Sequence, residues 1–143
     1  MFINKIIANK YFLIVFSILI STCTVSSGKI TVPSYCELTE KVIQQHCANI
    51  KELIQIVKQY QYDNNKIQII ESSKQREFAH SEKTLFSSFG ITPKEYVLYM
   101  AENSMSVQAF FKKNPDIKKK IDELSAERNM LLEEYENLKA QVQ

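Results

Sequence analysis

Glycine occurs only twice in the 143 residues, at Gly28 and Gly90, and proline three times, at Pro33, Pro93 and Pro115. A β-sandwich or barrel needs a tight turn every few residues, and these residue types make such turns. An all-β fold is therefore excluded. Two isolated glycines also cannot build a phosphate-cradling loop, which excludes the common nucleotide-binding motifs. Histidine is equally scarce, with His46 and His80 alone. His46 precedes Cys47, but neighbours on a helix point about 100° apart, and no second pair has ligand spacing. No metal site and no cofactor is expected. The charges nearly balance, with 18 Lys and Arg against 16 Asp and Glu. No global charge draws the chain to nucleic acid.

A short apolar run stands near the start. Tyr11 to Ile20 is almost wholly apolar, Lys5 and Lys10 precede it, and small residues follow. A basic start, a greasy middle and a small-residue exit describe a secretory signal peptide. The run is shorter than the ~20 residues of a membrane span. Retention as an uncleaved anchor is the alternative, with Ile3, Ile6, Ile7 and Ala8 lengthening the apolar stretch. The exit, Ile20-Ser21-Thr22-Cys23, resembles a bacterial lipobox, with Thr22 where Gly, Ala or Ser is usual. The resemblance implies cleavage before Cys23 and acylation of that cysteine, and hence a membrane partner through a lipid anchor. An ordinary signal peptide cut near Ser27 is the other reading. Residues 1–23 are thus expected to hold the signal peptide, cut before Cys23, and 24–33 to form a flexible tether. Residues 34–143 are expected to form one helical domain.

Removing the first 23 residues leaves 120, with 16 basic and 16 acidic. That length suits one domain with a real core. Apolar steps of three and four point to an all-α fold, a small bundle of four to five helices ending in a long one. Ser34 and Glu37 have capping-box spacing at the start of the first helix. Leu38, Val42, Ile43, Cys47, Ile50, Leu53, Ile54 and Val57 form its stripe, and Asp63-Asn64-Asn65 a turn. Asn65 to Phe78 reads as a broken helix, because Glu71 to Glu77 contains no apolar residue. Leu85, Phe86 and Phe89 sit on a short helix stopped at Gly90. Phe78, Phe86, Phe89, Phe110 and Phe111 cluster in sequence, which predicts the core centre there. Thr92-Pro93-Lys94-Glu95 opens another helix as a capping box, a boundary is expected at Ser104 or Ser106, and Asn114-Pro115 opens the last.

The last helix carries Ile117, Ile121, Leu124, Leu131, Tyr135, Leu138 and Val142 at heptad spacing, with Arg128 filling the gap. That stripe suits packing on its own domain or self-association through 115–143. Its charges run positive to negative, against the helix dipole. A solvated charged face is the plainer reading; the alternative is an antiparallel partner, either the first helix or a second copy, which would set each half against its opposite.

Cys36 and Cys47 are a candidate disulfide in an oxidising compartment. On one continuous helix they would lie too far apart, so a bridge requires the leading segment to fold back. The Tyr60–Tyr62 and Tyr96–Tyr99 pairs suit core and rim packing better than a binding surface. Glu133, Glu134 and Glu136 suit an exposed cluster better than a catalytic dyad. No catalytic constellation stands out, so a non-enzymatic interaction module is expected. Ile91-Thr92-Pro93-Lys94-Glu95 is similar to the Leu-Thr-x-x-Gln motif of small helical periplasmic stress chaperones, with Ile91 for Leu and Glu95 for Gln. That resemblance implies the alternative of a soluble periplasmic chaperone or stress sensor.

Overall fold

The computed structural model describes residues 30–142. These form four helices: α1 Val32–Gln59, α2 Asn64–Ser88, α3 Pro93–Lys113 and α4 Pro115–Val142. No strand occurs among the described residues. The expected signal, Cys23 and most of the tether lie outside them.

Helix α1 is the spine. Ten of its residues are buried, from Tyr35 and Cys36 through Leu38, Val42, Ile43, Cys47, Ile50 and Ile54 to Ile56 and Val57. Its stripe is broad enough to receive the other three helices. All three apolar clusters of the bundle are built on it. One joins Tyr35, Cys36, Ile43 and Cys47 to Val107 of α3 and Ile121 of α4. A second joins Ile50, Ile54 and Val57 to Ile67 of α2 and Tyr135 of α4. The third joins Leu38 and Val42 to Phe86 and Ile91. Burying one such large side chain contributes about 1.5–3 kcal/mol, so α1 carries most of the packing energy.

The phenylalanine-rich region is therefore not the core centre. Among its five rings only Phe86 is buried. Phe89, Phe110 and Phe111 are half-buried at the margins of the α1 clusters, and Phe78 is half-buried outside them. The reason is topological: α2 and α3 each offer one narrow stripe, whereas α1 is covered from several sides.

The first helix starts two residues before the expected Ser34. Thr31 is its N-cap, its hydroxyl accepting from the Ser34 amide at 3.4 Å. Pro33 fits the first turn, where a missing N–H costs nothing. The Ser34–Glu37 capping box is not formed. Ile30 and Val32 already pack against the first cluster, so part of the expected tether belongs to the folded body.

Helix α2 is continuous, not broken. Asp63 rather than Asn65 caps it, accepting from the Lys66 amide at 3.0 Å. The apolar-free stretch holds because Glu, Lys, Gln and Arg are good helix formers. Lys74 also ties it to α1, reaching Glu52 at 2.6 Å, and pairs within α2 with Glu77 at 2.9 Å. The helix ends at Gly90, whose φ of 70° is the left-handed turn expected there. The Thr92–Glu95 capping box then forms in both directions. The boundary expected near Ser104 is a kink at Asn103 inside one helix.

Partner numbers give the directions. His46 meets Glu82 and Glu52 meets Lys74, so α2 runs antiparallel to α1. Glu40 meets Lys120, Lys51 meets Glu127 and Lys58 meets Glu134, so α4 runs parallel to α1. This overturns the antiparallel alternative within the chain. The segregated charges of α4 are matched because α1 carries the complementary order, Glu40 first and Lys51 and Lys58 later. These pairs are largely half-exposed and worth at most about 1 kcal/mol each. They select direction, while apolar burial supplies the stability.

Candidate functional site

The sequence-predicted residues fall into three groups. Cys23, the candidate lipidation site, lies outside the described residues. Cys36 and Cys47 are buried free thiols. Both sit on unbroken α1, where a separation of eleven residues spans ~16 Å along the axis. A disulfide needs Cα atoms within ~7 Å, so none can form between them while this helix stands.

Burial pushes both thiols up from their ordinary range. Glu127 pushes Cys47 further, and Lys51 and Arg128 pull it back less strongly. A nucleophilic cysteine needs the opposite, a stabilised thiolate. The Cys47 Sγ instead donates weakly to the Leu124 carbonyl at 3.8 Å. Both thiols serve as small apolar side chains in the first cluster.

The tyrosines at the start of α1 form a stack. Tyr35 lies between Tyr96, with centroids 4.8 Å apart, and Tyr99, at 4.9 Å. Thr39 donates its single hydroxyl proton to the Tyr35 carbonyl at 2.8 Å. The Tyr96 hydroxyl must then be the donor in its 2.9 Å contact with Thr39 Oγ1. Burial, and then Tyr96, pushes the Tyr35 phenol far above its usual range. This stack pins α3 to α1. Tyr62 is 95% exposed, and Tyr60 packs at the edge of the second cluster with Lys66 over its ring at 4.4 Å.

The histidines do not meet a cysteine. His46 Nε2 lies 3.5 Å from Glu82, tying α1 to α2, and His80 is exposed. No group of three or more His, Cys, Asp or Glu among the described residues could hold a metal ion. Glu134 of the acidic cluster pairs with Lys58 at 2.8 Å. A shallow hollow beside Met130, Glu133, Glu134 and Asn137 is lined by α4 alone, so it is a groove along one helix.

One polar cluster was not foreseen. Glu71 is 5% exposed, the only buried charged residue among those described. It accepts from the Tyr135 hydroxyl at 2.5 Å and from Lys139 Nζ at 2.8 Å. Its signal in sequence is its place one turn after Ile67, on the face that α2 turns to the core. Arg128 is also unusual: its Nε is buried without a partner among the described residues, in the gap of the α4 stripe.

The chemistry-bearing side chains of the interior thus hold helices together. The outward side of α3 carries Leu98, Ala101, Met105 and Ala109, all exposed, with Met105 at 84%. Helical spacing puts Leu98 and Ala101 on one face before the Asn103 kink, and Met105 and Ala109 on one face after it. Lys112 and Lys113, both exposed, follow at the end of the helix. No helix among the described residues is long and apolar enough to cross a membrane. No family model matches this chain, and no curated protein or solved structure matches it.

Proposed function

We propose that the protein is an exported, lipid-anchored envelope protein whose helical domain acts by contact and not by catalysis. The observation that carries this reading is the order of Lys5, Lys10, the apolar run Tyr11 to Ile20, and Ile20-Ser21-Thr22-Cys23, seven residues before the folded body begins at Ile30. A signal, an acylation site and a short link to a compact domain are what a membrane-held module requires. Two features support the non-enzymatic part. The two thiols carry raised pKa values, and the buried carboxylate is already engaged by Tyr135 and Lys139.

Expression with the native leader, followed by detergent phase partition, tests the reading. The protein should enter the detergent phase, and Cys23→Ser should return it to the aqueous phase. A chain that is water-soluble with either residue overturns the anchor. That result would favour the second reading, a soluble periplasmic chaperone. The exposed Leu98 and Met105 support that alternative by offering apolar surface to unfolded clients.

A further inference from the structure

We infer that the outward face of α3, with the lysines at its end, is a membrane-docking surface for anionic phospholipid headgroups. The inference rests on the lipid-anchor reading for its orientation, and its test can be read separately. Three observations converge. The first is where the chain enters. Ile30 and Val32 stand at the start of α1, and Lys120, near the start of α4, reaches Glu40 in the third turn of α1, so the α3–α4 corner lies at the end where the tether arrives. Seven residues from Cys23 reach at most about 25 Å, whereas α1, at 28 residues, is about 42 Å long. An anchor on Cys23 therefore holds this end of the bundle near the bilayer and leaves the other free.

The second observation is charge. Lys112, Lys113, Lys118, Lys119 and Lys120 lie within nine residues that contain one acid, Asp116. Lys118 and Lys119 face Asp122 and Glu123 one turn along, and Lys120 faces Glu40. Lys112 and Lys113 have no ion-pair partner among the described residues and point into solvent. Basic residues held beside an anionic surface are attracted by about 1 kcal/mol each, provided they stand within a Debye length of it.

The third is apolar surface. Leu98 and Ala101 before the Asn103 kink, and Met105 and Ala109 after it, are exposed on the helix that delivers those lysines, with Glu102 exposed beside them. An apolar face ending in lysines suits the headgroup boundary, where methyl groups enter the acyl edge and ammonium groups meet phosphates. The Tyr35 stack fixes the opposite side of α3, so the helix can present this face without leaving the bundle.

Lysine footprinting tests the inference. The lipid-anchored protein is placed in vesicles of phosphatidylcholine alone or mixed with phosphatidylglycerol, then treated with a water-soluble amine-acylating reagent. Lys112 and Lys113 should be modified about fivefold more slowly on the anionic vesicles. Lys58 and Lys66, at the opposite end, should not change. Equal rates at Lys112 and Lys113 on both vesicles, or equal slowing at both ends, overturns the surface. The full chain carrying Cys23→Ser is tested in the same way. Selective protection there establishes the surface even if the anchor reading has failed by phase partition. Lys112→Gln with Lys113→Gln should weaken binding of that chain to anionic vesicles about thirtyfold. Helicity by circular dichroism should stay unchanged, because both side chains are free of the core.

Discussion

Tyr135 of α4 donates its hydroxyl to Glu71 of α2 at 2.5 Å, and Lys139, one turn further along, donates to the second carboxylate oxygen at 2.8 Å. The contact closes the bundle on the side where α2 and α4 both leave α1. An ionised carboxylate this deep persists only when its lone pairs are engaged. Lys139→Ala should therefore cost about 3 kcal/mol in urea unfolding, since it leaves a buried charge without its counter-ion. Tyr135→Phe should cost about 1.5–3 kcal/mol, the value of one hydrogen bond to a charged group. A Lys139→Ala loss within experimental error would show that water reaches Glu71.

The parallel setting of α1 and α4 makes a charge-swap prediction. Lys58→Glu should lose at most about 1 kcal/mol by placing like charges across the interface, and Glu134→Lys the same. The double variant should recover most of the loss, because the pair is restored with its signs exchanged. Singles that sum in the double would show that the two residues do not interact.

The thiols should be silent in the native protein. Burial raises both Cys36 and Cys47, which removes thiolate as well as access. Alkylation by iodoacetamide at neutral pH should be at least a hundredfold slower, roughly, than in denaturant. The unreduced protein should show two free thiols at these positions by mass spectrometry. A linked Cys36–Cys47 pair would mean that the first turns of α1 unwind.

Stability should fall on the alkaline side. Burial raises Cys36, Cys47, Tyr35 and Tyr99, while Lys51 is raised by its hydrogen bond to Glu127 and Lys74 by its bonds to Glu52 and Glu77. Each of these groups holds its proton more tightly folded than unfolded. Their contribution is complete below the ordinary values and lost as pH rises through the folded ones. Loss should begin near 9.0, where cysteines ordinarily titrate, and steepen past 10.0 and 10.5, the tyrosine and lysine values. A melting temperature flat from neutral pH to 11 would contradict this.

Gly90 gives a purely local test. A Cβ added there would meet no atom within 4 Å, so Gly90→Ala costs only the left-handed backbone, about 1–2 kcal/mol. The same substitution would be nearly neutral if the turn could relax.

Local signals carried much of this fold. The α1 stripe, the Gly90 stop, the Thr92–Glu95 box and the Asn114–Pro115 start all depend on residues within a turn or two of each other. Their chemistry is visible in order along the chain. The all-helical class followed from scarce glycine and proline for the same reason. The errors are tertiary. The burial of Glu71 depends on Tyr135 and Lys139, both remote in sequence, and the tie that Lys74 adds from α2 reaches Glu52 of α1, also remote. The charges of α4 name a complementary partner but not which way that partner's charges run, so the direction of α4 is not legible in them. For the site, local spacing identified Cys36, Cys47, Tyr96 and Tyr99 but not their environment. The exposed α3 surface was hidden because Leu98 and Met105 look like core residues until Tyr96, Tyr99 and Val107 take the inward face.

Because α1 and α4 point the same way, the polypeptide comes in at one pole of the bundle and finishes at the other. Cargo attached at the end of α4, whether a fluorescent reporter or an epitope, would be displayed away from Ile30, at the far end of a helix about 42 Å long. It could be decorated without crowding the pole where the chain arrives.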